Sequence, residues 1–128
     1  MKCTHIALQV REIEKSIAFY ERYCEMRIVH DRTDDFRVVW LGFGESPPKF
    51  VIVLLDAPYE RNEQPAWQHI GIAVERREQV DQIAARAEAD GLAVSWPPRD
   101  AGPIVGYYCG LADPDGNLVE FSHGQQIG

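Results

Sequence analysis

Apolar residues recur along this chain in two rhythms, and the whole pattern occurs twice. Residues 4–11 read Thr-His-Ile-Ala-Leu-Gln-Val-Arg, a short strand-like run, and Ile13, Ile17, Tyr20 and Cys24 follow at helical spacing. Strand-like segments come next at residues 27–31, 36–43 and 50–55, divided by turn signals at Asp34-Asp35 and Ser46-Pro47-Pro48. The order then restarts: Gln68-His69-Ile70-Gly71-Ile72-Ala73-Val74-Glu75 repeats the first strand at an offset of 64 residues, half of the 128. Val80, Ile83, Ala84 and Ala87 share a helical face, and Gly91 is placed to end that helix in a left-handed conformation. Segments 92–96, 106–111 and 117–121 are again strand-like, separated by Pro97-Pro98 and by Asp113-Pro114-Asp115-Gly116.

Each half therefore reads βαβββ, with a polar linker over residues 57–66 that holds two prolines. The expected class is α+β: one domain of two tandem βαβββ modules, residues 1–60 and 66–128, forming curved mixed sheets around a cleft. One helix covers only one face of a four-stranded sheet. The other face needs a second module, in the same chain or in another copy.

Composition narrows the picture. Hydrophobic residues make up 45% and charged residues 26%, the balance of a globular chain. A net charge of −7, with no Lys/Arg run, argues against nucleic acid as partner. Arg76-Arg77 reads as a solvated helix start. Three cysteines at wide spacing, with no CxxC, suit a reduced, cytoplasmic chain. The N-terminal residues do not read as a signal peptide. The longest apolar run, residues 50–55, is far too short to span a membrane.

Four pieces together resemble the vicinal oxygen chelate superfamily: His5-Ile6-Ala7-Leu8, Ser16-Ile17-Ala18-Phe19-Tyr20, His69-Ile70-Gly71-Ile72-Ala73-Val74, and Asp113-Pro114-Asp115-Gly116-Asn117-Leu118-Val119-Glu120. That group includes glyoxalase I, extradiol dioxygenases, methylmalonyl-CoA epimerase, fosfomycin-resistance proteins and bleomycin-binding proteins. The resemblance implies a metal held by His from the first strand of each module and Glu from the last. Residue by residue, these are His5, His69 and Glu120. Two imidazoles and one carboxylate suit one divalent ion per site, with Fe, Mn, Ni, Zn and Co not distinguished. Open coordination positions would receive oxygens of a small-molecule substrate. The resemblance also implies a homodimer, in which His5 comes from one chain and His69 with Glu120 from the other.

Glyoxalase I and the epimerase carry a fourth ligand, on the last strand of the first module. Aligning the turns makes Val53 the counterpart of Glu120; the constant offset would choose Asp56 instead. The turn alignment is preferred, because loop lengths vary while strand register does not. A missing fourth ligand fits extradiol dioxygenases and fosfomycin-resistance enzymes better than glyoxalase I. A structural alternative pairs Glu120 with an arginine such as Arg37 or Arg99.

Hairpin counting adds candidates. A loop over residues 113–116 would pair Ala112 with Asn117 and Cys109 with Glu120, putting Tyr107 and Cys109 on the face of Glu120. Tyr107 could then donate a proton or hydrogen bond to a bound oxygen, and a one-residue slip would substitute Tyr108. Cys109 would be a small core residue or a thiol beside the metal. Similar counting puts Trp40 on the face of Val53. Arg99, in the Pro-rich stretch, could clamp a substrate anion. His30 and His123 read as surface residues. The leading reading is a metal-dependent enzyme, lyase or isomerase or extradiol-type dioxygenase. The alternative is a metal-free drug- or metabolite-binding protein of the bleomycin-resistance kind.

Overall fold

The computed structural model describes residues 2–59 and 67–126, so most of the expected linker, residues 60–66, lies outside the described residues. The chain divides into two compact units, Met1–Glu63 and Gln64–Gly128. Each contains four strands and one helix in the order βαβββ.

Unit 1 comprises β1 (His5–Gln9), α1 (Ile13–Cys24), β2 (Arg27–Thr33), β3 (Arg37–Gly42) and β4 (Val51–Leu55). The strand order is β1-β4-β3-β2, with β1 parallel to β4 and the other pairs antiparallel. The sequence Val51-Ile52-Val53-Leu54-Leu55 is apolar at every position because β4 is central and both its faces are covered or lined. Ile52 and Leu54 are fully buried, as are Val39 and Leu41 on β3. Each such side chain contributes ~1.5–3 kcal/mol through the water it sheds. Val38, Val51 and Val53 form a second apolar cluster, with Val29, Trp40 and Leu55 packed against it. The helix α1 buries the expected stripe, Ile13, Ile17, Tyr20 and Cys24, together with Phe19 and Tyr23. It ends at Glu25, which takes a left-handed φ of 55° without glycine, so no residue type announces the stop.

Unit 2 repeats the plan with β5 (His69–Ala73), α2 (Arg77–Ala89), β6 (Val94–Asp100), β7 (Tyr107–Ala112) and β8 (Leu118–His123), in the order β5-β8-β7-β6. Val80, Ile83, Ala84 and Ala87 form the buried face of α2, as their spacing predicts. Gly91 lies beyond the helix with φ 75°, a conformation that costs glycine little.

Two expectations are corrected. Pro97-Pro98 does not end a strand, for β6 continues through both prolines to Asp100. This is allowed because β6 is an edge strand whose register shifts between Trp96 and Arg99, so the missing N–H groups leave no ladder bond broken. The hairpin register is also one residue off: Ala112 pairs with Leu118, Gly110 with Glu120, and Cys109 with Phe121. Asn117 belongs to the turn. The Asp113 carboxylate accepts the backbone N–H groups of Asp115 (2.9 Å) and Asn117 (2.8 Å), and Asp113 N–H donates to the Asn117 carbonyl at 2.9 Å. The loop is thus the three residues Pro114-Asp115-Gly116, with Gly116 at φ 88°. Among the described residues, no helix is long and apolar enough to cross a membrane.

Candidate metal and substrate site

In unit 2 the parallel pairing of β5 with β8 sets His69 opposite Leu118 and Gly71 opposite Glu120. His69 and Glu120 therefore emerge on one face, close enough for their ends to meet. His69 Nδ1 lies 2.9 Å from the Trp67 carbonyl oxygen. A carbonyl only accepts, so Nδ1 carries a hydrogen, and in the neutral form of the ring Nε2 holds the lone pair. That lone pair lies 3.7 Å from Glu120 Oε2, beyond hydrogen-bond reach. The two atoms thus converge without a hydrogen bond between them, and Glu120 is only 6% exposed. Its other oxygen, Oε1, accepts from Gln125 Nε2 at 2.7 Å. Gln125 is neutral, and neither Arg37 nor Arg99 is ion-paired to Glu120 among the described residues. A buried carboxylate with no lysine or arginine ion-paired to it among the described residues, facing an imidazole nitrogen, fits a divalent cation.

A cavity of about 210 Å³ opens beside this pair, lined by Trp67, Trp96, Arg99, Val105 and Tyr108 as well as His69 and Glu120. Trp96 stands edge-on to His69, with ring centroids 5.3 Å apart, and edge-on to Tyr108 at 6.2 Å. Its seat is Gly110: a Cβ there would meet Trp96 Cε3 at 2.6 Å. The Arg99 guanidinium lies 5.3 Å from the Tyr108 ring centroid. It has no carboxylate partner among the described residues.

Unit 1 presents the equivalent face. His5 pairs with Val51 and Ala7 with Val53, as His69 pairs with Leu118 and Gly71 with Glu120. Across the sheet, Val53 faces Trp40 as Glu120 faces Gly110. Val53 is therefore the register equivalent of Glu120, while Asp56 lies beyond β4, its N–H bonded to the Arg37 carbonyl at 3.0 Å. The cavity here is larger, about 390 Å³, lined chiefly by apolar residues with Trp40, His5 and Arg32. Arg32 pairs with Val38 on the neighbouring strand as Arg99 pairs with Tyr108, so each cavity carries one arginine at an equivalent place. His5 Nδ1 lies 3.1 Å from Thr4 Oγ1. Among the described residues, no three His, Cys, Asp or Glu side chains gather around one point.

The model of the Glyoxalase/Bleomycin resistance protein/Dioxygenase superfamily matches residues 2–121. The chain belongs to this superfamily. An uncharacterised protein of Pseudomonas aeruginosa is 44% identical over 127 residues, covering 98% of this chain and 90% of its own. A lactoylglutathione lyase of Haemophilus influenzae is 29% identical, covering 94% and 91%. Among solved structures, a fosfomycin resistance protein of Listeria monocytogenes with Mn(II) and a dihydroxypropylphosphonic acid superposes with TM-score 0.79 at 19% identity, covering 98% of this chain and 93% of its own. Glyoxalase I of Leishmania major gives 0.77 at 21%, covering 97% and 87%. The last two likenesses establish the fold.

Against this superfamily frame, two of the expected site residues move. The corrected register turns Tyr107 and Cys109 to the face of β7 opposite Glu120. Tyr107 donates to Asp81 Oδ1 at 2.6 Å, with the Arg77 guanidinium 3.6 Å from its ring centroid. The Asp81 hydrogen bond pushes its pKa up, with desolvation adding to the rise. Cys109 is fully buried, its thiol 3.6 Å from the Val80 carbonyl oxygen on α2. Burial pushes this thiol up to about 12, with the charges of Asp81 and Glu120 adding to the rise. It is a packing residue that stays protonated at neutral pH. Tyr108 takes the place expected for Tyr107. His30 packs at a tilt against Trp40, with ring centroids 4.8 Å apart, and His123 is half-buried, its Nδ1 3.3 Å from the Val74 carbonyl. Sequence reasoning missed Arg32, Gln125 and the Gly110–Trp96 fit. Arg32 left no trace in the repeat, since its equivalence to Arg99 requires knowing where β6 is bulged.

Proposed function

We propose that this protein is a divalent-metal-dependent vicinal oxygen chelate enzyme acting on a small substrate that chelates through two oxygens. The observation that carries the reading is the convergence of His69 Nε2 and the buried Glu120 Oε2, 3.7 Å apart and beyond hydrogen-bond reach, beside a cavity. The donor set would be His69 and Glu120 with His5 of the partner subunit, in a homodimer. When bound, the ion would polarise the substrate oxygens and stabilise negative charge developing on them.

The chain's own groups have separate tasks. His69 is oriented by the Trp67 carbonyl and presents a lone pair. Arg99, with no carboxylate partner among the described residues, would hold an anionic end of the substrate. Tyr108 lines the cavity with Glu120 and would donate a hydrogen bond to a bound oxygen. Trp40 and the valines of the larger cavity would take the apolar part. The names of the lactoylglutathione lyase relatives favour lyase or isomerase chemistry, and the apolar Val53 position leaves extradiol-type dioxygenase chemistry as the competing assignment. The large apolar cavity of unit 1 alone would serve a metal-free binding protein; the donors of unit 2 favour the enzyme.

Metal analysis after mild purification tests the reading. Stoichiometric divalent metal, lost in His5→Ala, His69→Ala and Glu120→Ala, is expected, and light scattering should give a dimer. Its identity, iron or a redox-inert ion, would then separate dioxygenase from lyase or isomerase. No metal after reconstitution, together with tight binding of a drug-like ligand, would sink the proposal.

A further inference from the structure

Glu120 is fixed from outside its own strand. Gln125 lies past β8, yet its Nε2 donates to Glu120 Oε1 at 2.7 Å. That choice of oxygen matters, because Oε2 is the one near His69 Nε2. The tail carrying Gln125 is itself held. Gly106, at φ 82°, lets the loop backbone close onto it: a Cβ there would lie 2.2 Å from the His123 carbonyl oxygen and 3.0 Å from the Gln125 nitrogen. Gln126 N–H donates to the Ile104 carbonyl at 3.3 Å, and Gly106 N–H to the Gly102 carbonyl at 2.7 Å. Gln125 therefore reaches the carboxylate from an anchored backbone.

The geometry points to Gln125 as a positioning residue that locks the Glu120 carboxylate with Oε2 free for the metal, an inference that rests on the metal-site reading above. The chemistry of the amide suits the task. A carboxylate on a single-bonded stem rotates, and each lost rotation before binding strengthens the bound state. An Arg or Lys in this place would fix the carboxylate equally well but would neutralise it and repel the ion. Gln donates without charge, so the carboxylate keeps its full attraction for a cation.

The test compares wild type, Glu120→Gln, Gln125→Ala and Gln125→Leu, the last keeping the bulk while removing the donor. Co(II) affinity is measured by competition with a chromogenic chelator, together with the visible Co(II) spectrum and the melting temperature of the metal-free protein. Both Gln125 variants should bind Co(II) ~10–100-fold more weakly, the usual effect of removing a partner of a metal ligand. The visible bands should change while metal-free melting stays nearly constant. Wild-type affinity and an unchanged spectrum in Gln125→Leu, with binding lost in Glu120→Gln, would overturn the role of Gln125 alone. Equal affinity in wild type and Glu120→Gln would overturn the metal-site reading, and this inference with it.

Discussion

Across the middle of the sheet in unit 2 runs a row of paired residues, Gly71, Glu120 and Gly110; the equivalent row in unit 1 is Ala7, Val53 and Trp40. The backbone pairing is the same, and only the side chains differ. Glycine stands on both sides of Glu120: Trp96 fills the place over Gly110, while a Cβ at Gly71 would touch nothing within 4 Å. In unit 1 the row is filled by a methyl, a valine and an indole. One copy of a duplicated module thus holds a carboxylate at the centre of its row, while the other builds an apolar wall. The aromatic platform persists in both, but it stands on different strands: Trp96 on β6 over Gly110, and Trp40 on β3 beside His30.

Exchanging the centre of the two rows gives the largest expected effect. Val53→Glu places a carboxylate among Val38, Val51 and Leu55, in a cavity whose one arginine, Arg32, is already paired with Asp34. The metal-free protein should lose several kcal/mol, about 3 or more, in urea unfolding at pH 7. The reverse exchange, Glu120→Val, removes a buried carboxylate and should be neutral or stabilising without metal, while lowering metal affinity. If Glu120→Val were as damaging as Val53→Glu, the carboxylate would be supporting the fold rather than awaiting an ion.

The flanking glycines come next. Gly110→Ala drives a methyl into Trp96, whose ring would lie 2.6 Å from it, and should cost ~1–3 kcal/mol by overpacking. Gly71→Ala enters open space and should stay within ~0.5 kcal/mol of wild type. Thermal unfolding of the metal-free variants separates the two, and equal losses would mean that Gly110 is not the seat of Trp96.

The duplication explains how much of this was legible. His5 and His69 stand out because the same strand recurs, and the helices follow from apolar spacing that α1 and α2 bury as expected. Val53 was found by aligning turns, which succeeds because strand register is fixed by the buried face. The turn at residues 113–117 defeats the counting, since Asp113 holds Asn117 opposite itself across a three-residue loop and shifts β7 by one residue against β8. That single step exchanged Tyr108 for Tyr107 and hid Cys109 beneath α2. Gln125 left no periodic signal, because its reach depends on a tail whose path is set by the loop at Gly106.

The adjacent tyrosines sharpen the comparison of faces at smaller magnitude. On Co(II)-loaded protein, with acetohydroxamate as a small bidentate oxygen ligand, Tyr108→Phe should weaken binding roughly 2- to 10-fold, the worth of one neutral hydrogen bond. Tyr107→Phe should leave this affinity unchanged, because its hydroxyl is committed to Asp81 on the helix side. An effect of Tyr107→Phe equal to that of Tyr108→Phe would contradict the corrected register.

The smallest effects lie in the surface clips of the two units, and they differ in pH range. In unit 1, Arg37 joins Asp31 on β2 to Glu14 on α1; in unit 2, Arg77 on α2 pairs with Asp100 at 2.9 Å and covers Tyr107, which donates to Asp81. Hydrogen bonding from Arg37 lowers the Asp31 pKa, and hydrogen bonding from Arg77, then from Gly102 N–H, lowers that of Asp100. A carboxylate with a depressed folded pKa contributes stability present above its unfolded value, ~3.9, and lost as pH falls through the folded one. Both units should therefore weaken below about pH 4, and salt should shrink the effect because the pairs are exposed. Unit 2 also has an alkaline counterpart. The raised pKa of Tyr107 gives stability that is full below the unfolded value, ~10, and lost as pH rises through the folded one. Melting temperatures measured from acid to alkaline pH should fall at both ends. Asp31→Asn should flatten part of the acid limb alone, whereas Tyr107→Phe should flatten part of the alkaline limb alone. An alkaline limb unchanged in Tyr107→Phe would show that the phenol's bond to Asp81 adds nothing to the stability of unit 2.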